Sequence, residues 1–123
     1  RVCENMALGL EQWEMGDVRE AAESVRLDRE IESWPDTYDS LVGERGVNLS
    51  GGQKQRMTLA RAMIRQAPLV ILDDALSAVD ARTEEMILNH LNDRLQQTTS
   101  VVVSHRLASL RQAHQILVLH GGK

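Results

Sequence analysis

Four short groups of residues carry side chains at spacings suited to phosphate chemistry. Leu49-Ser50-Gly51-Gly52-Gln53 stands where a helix is expected to begin. Glycines without Cβ let a phosphate approach the backbone closely. Ser50 adds a hydroxyl donor, and the free N–H groups and positive dipole end of the helix favour an anion. The same residues also suit a plain capped turn, since Ser is a common N-cap. Asp73-Asp74 follows the apolar run Leu69-Val70-Ile71-Leu72. Carboxylates at the carboxyl edge of a parallel strand face the crevice where such sheets bind ligands. There Asp73 suits Mg²⁺ held partly through water, and Asp74 suits orienting or deprotonating an attacking water. Turn capping is the other reading of paired acids. Ser77-Ala78-Val79-Asp80 comes next, and Ser104-His105 closes a second apolar run. With both strands parallel, His105 reaches the same edge as Asp73 and can bond a phosphate or the water that attacks it. His90, His114 and His120 have no such placement and read as surface or satisfied structural residues.

The elements that must position these groups follow from periodicity and breakers. Asp17 with Glu20, then Ala21, Ala22, Val25, Leu27 and Ile31, predicts one helix over 17–33, stopped by Trp34-Pro35. Residues 35–50, with Gly43 and Gly46, read as an ordered loop. A helix over 51–66 buries Met57, Ala60, Met63 and Ile64, leaves Lys54, Gln55, Arg56, Arg61 and Arg65 mostly elsewhere on its circumference, and ends before Pro68. The run 69–72 is too short and too uniformly apolar for a surface helix, and predicts a strand buried on both faces of a parallel sheet. A helix over 81–97 turns Ile87, Leu88, Leu91 and Leu95 inward and Glu84, Glu85, Asn92 and Asp93 outward. A strand over 100–104, a short helix over 106–112, a strand over 115–119 and a turn at Gly121-Gly122 complete an alternation of helices and parallel strands.

The 123 residues include 8 Gly, 2 Pro, 1 Cys and three aromatics, Trp13, Trp34 and Tyr38, which suits one ordinary domain or part of one. A lone Cys3 excludes a disulfide framework within the chain and favours a reducing compartment. No apolar run approaches the roughly twenty residues a membrane helix needs. The opening Arg1-Val2-Cys3-Glu4 is expected to be a cut rather than a natural start. Residues 1–48 carry 5 Lys and Arg against 12 Asp and Glu, net −7, while 49–123 carry 9 against 6, net +3. An acidic first half with few aromatics argues against a nucleic-acid surface, and the asymmetry hints at two subdomains.

In order and separation, Leu49-Ser50-Gly51-Gly52-Gln53, Leu69-Val70-Ile71-Leu72-Asp73-Asp74, Ser77-Ala78-Val79-Asp80 and His105 resemble the nucleotide-binding domain of ATP-binding cassette (ABC) transporters. The resemblance covers essentially the whole chain. It implies an α/β fold, a partial P-loop NTPase of ABC type. A helical subdomain over 1–66 would join the C-terminal part of a parallel-sheet, RecA-like core over 67–123. It also implies that Leu49, Ser50, Gly51, Gly52 and Gln53 are the signature motif, Asp73 the Mg²⁺-organising Walker B acid, and Asp74 the catalytic-base position. Asp80 becomes the D-loop acid and His105 the switch histidine. Asn5-Met6-Ala7-Leu8-Gly9 is similar to the segment after the family's glutamine loop. Val42-Gly43-Glu44-Arg45-Gly46 is similar to the exporter X-loop, which implies contact of Gly43, Glu44 and Arg45 with a transmembrane domain.

ATP and Mg²⁺ are the implied cofactors, a second nucleotide-binding domain the implied partner, and the cytoplasmic face of a membrane the implied place. The implied function is coupling of ATP-driven domain closure to export of a small molecule, drug or lipid. A soluble ABC-type ATPase of DNA repair or translation and a non-catalytic accessory module are the alternatives. Two departures matter. A phosphate-cradling loop needs Gly-x-x-x-x-Gly-Lys-Ser/Thr, and the one Gly-Lys, Gly122-Lys123, has Leu117 where the first Gly belongs. The Walker A motif is therefore expected upstream, and this segment alone is expected to be inactive. Asp74 stands where the family's active sites usually have Glu. Misplacing a catalytic group by about 1 Å costs on the order of a hundredfold in rate. Such an Asp marks the weakened site of heterodimeric multidrug exporters, one half of which this chain resembles.

Overall fold

Two parallel strands and the helices that cover one of their faces carry all four groups. The structure, a computed structural model, describes residues 1–43, 46–106, 110–111 and 113–121. Its elements are α1 (Val2–Met6), α2 (Met15–Ser24), α3 (Asp28–Glu32), a 3-10 turn (Thr37–Asp39), α4 (Gly51–Ile64), β1 (Leu69–Asp73), α5 (Ala81–Gln96) and β2 (Thr99–Val103). Strand β1 pairs with β2 in parallel, Leu69 opposite Thr99 and Asp73 opposite Val103. One buried apolar cluster runs from α1 through α2 and α4 to β1 and α5, including Met6, Val18, Ile31, Met63, Leu72 and Ile87. Free Cys3 is buried in it.

The helix expected over 17–33 is two helices. Leu27 N–H bonds the Ala22 carbonyl at 2.9 Å and Arg26 N–H bonds that of Glu23 at 3.0 Å, the paired bonds of a Schellman end. Arg26 holds the left-handed position, φ +57°, where Gly is usual, so the sequence gives no stop signal. The Arg26 carbonyl accepts from Arg56 Nη1 at 2.6 Å. Arg56 also pairs with Glu30 of α3 at 2.7 Å. The expected surface arginine of α4 is thus a buried bolt between helices. Helix α2 starts earlier than expected, with Glu14 as its N-cap and Asp17 at its third position. Arg19 lies over the Tyr38 ring, 4.9 Å from its centroid.

The sheet departs from expectation on one face. Val70 and Leu72 are buried, whereas Leu69, Ile71, Val101 and Val103 are about half exposed or more. A parallel strand is sealed only when layers cover both sides, and the helices described here pack on one. Residues 115–119 form no strand, with Leu117, Val118 and Leu119 81, 82 and 82% exposed. An apolar run becomes a strand only beside another strand's free ladder, and none lies next to it among the described residues. The helix expected over 106–112 and the turn at Gly121-Gly122 fall largely outside the described residues. In the loop over 35–50, Val42 bridges Val47, and a Cβ on Gly46 would lie 2.1 Å from the Leu41 carbonyl oxygen, so this turn closes only around glycine.

Two substitutions test the α2–α3–α4 junction. Arg26→Gly removes the left-handed penalty at an exposed position and is expected to raise stability by about 0.5–1 kcal/mol, read as a higher thermal midpoint. Burial raises the Glu30 carboxyl, but hydrogen bonds from Arg56 and Gln53 and the Arg56 charge outweigh it, leaving the group below its ordinary value. A depressed carboxyl stabilises above its unfolded value and loses that contribution as pH falls through the folded one. Glu30→Gln is therefore expected to unfold at lower temperature than the parent near neutral pH, with the gap closing as the medium is acidified past the carboxylate range.

Candidate functional site

Strand β1 ends by delivering both acids to the carboxyl edge of the sheet. Asp73 is its last residue, with its Cα opposite Val103, and shares the exposed face with Leu69 and Ile71. Asp74 N–H still bonds the Val103 carbonyl at 3.0 Å, but its backbone turns left-handed, φ +44°. Asp is one of the few non-glycine residues that tolerates this, and the turn breaks strand alternation. His105 follows β2 at the same edge, and its Nδ1 lies 3.2 Å from Asp74 Oδ1. The side chains are 71% and 51% exposed, so this pair adds little stability. With an ionised Asp74 as acceptor, Nδ1 must carry a hydrogen. Nε2 is then an acceptor in the neutral ring and a second donor in the protonated one. The sequence-based placement of Asp73, Asp74 and His105 at one edge is thus realised.

The loop that follows is pinned by buried Leu76 and Val79 and turned by bonds from Ser77 N–H to the Asp74 carbonyl and from Val79 N–H to that of Leu76. Asp80 ends it as the N-cap of α5, its Oδ1 accepting from Thr83 N–H at 3.0 Å. That hydrogen bonding holds the Asp80 carboxyl below its ordinary value. In this structure Asp80 caps a helix.

The amino end of α4 stands against this loop. Ser50 caps α4, its Oγ accepting from Gln53 N–H at 3.2 Å while Ser50 N–H donates to Gln53 Oε1 at 2.8 Å, a reciprocal box. Gln53 Nε2 donates to Glu30 at 2.7 Å, so its amide is engaged at both ends within the chain. Leu49 is half-buried against the core. A Cβ on Gly52 would lie 3.0 Å from the Ala78 carbonyl oxygen, and one on Gly51 3.6 Å from Ala78 Cβ. A side chain at Gly52 would thus press on the Ala78 carbonyl, so packing alone favours a bare backbone there. Gly43 lies exposed in the closed turn; Glu44 and Arg45 are outside the described residues.

Three side chains that hold this arrangement were not singled out from sequence. Gln55 of α4 donates to Ser77 Oγ at 2.8 Å and accepts from Ala78 N–H at 2.7 Å. Arg106 bonds the same loop. Glu84, expected outside, is 1% exposed. Glu84 had a signal: it precedes Ile87 by three residues and Leu91 by seven, the spacing of the inward stripe. Gln55 and Arg106 had none, since their partners lie 19 to 30 residues away in sequence.

Known proteins are similar to this chain in sequence and fold. The sequence pattern described as ABC transporter matches residues 2–77. The ATP-dependent lipid A-core flippase of Methylococcus capsulatus is 42% identical over 123 residues, spanning 99% of this chain and 20% of that protein. The multidrug resistance-like ATP-binding protein MdlA of Escherichia coli is 45% identical over 121 residues, 98% of this chain and 20% of that one. A solved structure of a bacterial Atm1-family ABC exporter with ATP bound superposes with a TM-score of 0.88 at 36% identity, over 98% of this chain and 21% of its own. The chain thus spans about a fifth of the length of these relatives. A family pattern over most of the sequence, close relatives and a shared fold place the chain in the ABC transporter family, as part of an exporter-type ATP-binding domain.

Proposed function

We propose that this chain works in a longer protein as part of the ATP-binding and hydrolysing domain of an exporter. It would couple closure of two such domains to export of a drug or lipid across a membrane, from the cytoplasmic face. The observation that supports this best is the approach of His105 Nδ1 to Asp74 Oδ1 at 3.2 Å, next to Asp73, on the carboxyl edge of two parallel strands. That edge is where open α/β sheets bind ligands. Asp74 is then the acceptor for the proton of an attacking water, and His105 bonds the terminal phosphate through Nε2 when its ring is protonated.

Among the described residues, no group of three or more His, Cys, Asp or Glu could hold a metal. Mg²⁺ bound with a nucleotide does not need one, because it keeps water and phosphate oxygens and takes one or two carboxylates. Exposed Asp73 fits as that carboxylate. Bound Mg²⁺ and ATP would supply the electrophilic phosphate and neutralise the charge developing on it. In the Leu49-Ser50-Gly51-Gly52-Gln53 segment, capping uses Ser50 Oγ as an acceptor, which leaves its O–H hydrogen to donate. First-turn N–H groups have no partner within a helix. Exposed Ser50 and Gly51 would offer these donors to a nucleotide held by a second ATP-binding domain, in a heterodimer. The turn with exposed Leu41, Val42 and Gly43, together with Glu44 and Arg45, would meet a transmembrane region. The names of the relatives support a lipid or drug as cargo. Among the described residues no helix is long and apolar enough to cross a membrane.

Two measurements of phosphate release by the full-length protein test this reading. Gly51→Glu sets a carboxylate where a phosphate would dock, and is expected to lower turnover about a hundredfold; unchanged turnover defeats the reading. If Asp74 is one methylene short of a working base, Asp74→Glu raises the turnover of the homodimer about tenfold or more. An active homodimer whose rate that change leaves alone ends the idea of a weakened site.

A further inference from the structure

The loop between β1 and α5 is gripped from two sides, and only one grip comes from α4. On the far side Arg106 donates through Nη1 to the Val79 carbonyl at 3.0 Å and the Leu76 carbonyl at 3.5 Å, and through Nη2 to the Ser77 carbonyl at 2.8 Å. Nη1 also pairs with the carboxylate of Glu84 on α5. The Arg106 side chain is 32% exposed and that of Glu84 2%. A guanidinium presents its donors in a rigid plane, so a carboxylate fixed on α5 fixes where the three carbonyls lie. Ala78, held among them, is the residue whose carbonyl meets Gly52 and whose N–H meets Gln55.

We propose that Arg106 is a positioning residue for the phosphate-binding turn at the start of α4. By fixing the carbonyls of Leu76, Ser77 and Val79, it sets where Ala78 stands. Ala78 in turn sets how Ser50, Gly51 and Gly52 are presented to a nucleotide on the partner domain. Arg106 touches no nucleotide in this scheme; it acts across the loop, and Glu84 aims it. A residue beside His105 on its own sheet edge therefore governs the site completed by the opposite domain. The inference rests on the reading of the Ser50-Gly51-Gly52 turn given above.

The test uses the full-length protein assembled with its partner domain, and follows kcat and KM for Mg–ATP hydrolysis. Arg106→Lys keeps a charge opposite Glu84, and thus the folded core, but one ammonium cannot span three carbonyls in the geometry of the fork. Arg106→Gln combined with Glu84→Gln removes both charges and leaves no buried carboxylate unpaired. Both are expected to lower kcat about tenfold while KM stays within about twofold, because a misplaced turn weakens the closed complex more than initial nucleotide capture. A kcat within about twofold of the parent for Arg106→Lys, or a fall in kcat matched by an equal rise in KM, overturns the assignment. Gly51→Glu in the same assembly separates the two claims. If it stops turnover while both Arg106 variants keep theirs, only the role of Arg106 fails. If it too leaves turnover unchanged, the reading of the turn itself fails.

Discussion

Gly52 brings the first turn of α4 so near the Ala78 carbonyl that a side chain there would lie 3.0 Å from it, and that close approach seats α4 against the loop between β1 and α5. The loop between β1 and α5 cannot satisfy its backbone by itself. Its N–H and carbonyl groups are taken up by Gln55 on one side and Arg106 on the other. Bonds from both sides tie the loop to its neighbours, so the fold has little freedom to move α4, the loop and the end of β2 independently. The acid pair, the histidine and the glycine turn are thereby held as one unit.

The residues of this unit do double duty. Ser50 and Asp80 cap helices, Asp74 makes the sharp turn that ends a strand, and Gly52 permits a close approach. Each therefore has a structural reason to be the residue it is, independent of any ligand. The two kinds of demand are compatible because capping consumes only part of a group's hydrogen-bonding capacity. A hydroxyl that accepts can still donate, and a carboxylate has lone pairs to spare.

Arginine supplies the long-range ties. Arg56 joins α4 to the α2–α3 junction through Glu30 and the Arg26 carbonyl, Arg61 reaches the Asn5 carbonyl of α1 at 2.8 Å, and Arg106 ties β2 to the loop and α5. A planar cation with five donors can meet several carbonyls and a carboxylate at once. This explains why residues that look like a solvated face turn inward. The acidic first half and basic second half of the chain meet in the Glu30 to Arg56 pair.

Sequence alone determined what repeats locally or sits next to its own partner. The start of α4 at Ser50, the span of α5, the parallel pair of strands and the meeting of Asp73, Asp74 and His105 at one edge were all legible. Caps, helical periodicity and apolar runs are set by residues a few positions apart. Tertiary structure alone decided the left-handed break at Arg26, the burial of Arg56, the grip of Gln55 and Arg106, and the absence, among the described residues, of a strand beside residues 115–119. In each of those cases the deciding atom belongs to a residue distant in sequence, or to a strand that must be supplied beside it. A polar side chain carries no mark of whether a carbonyl or water will meet it; only the packed chain settles that.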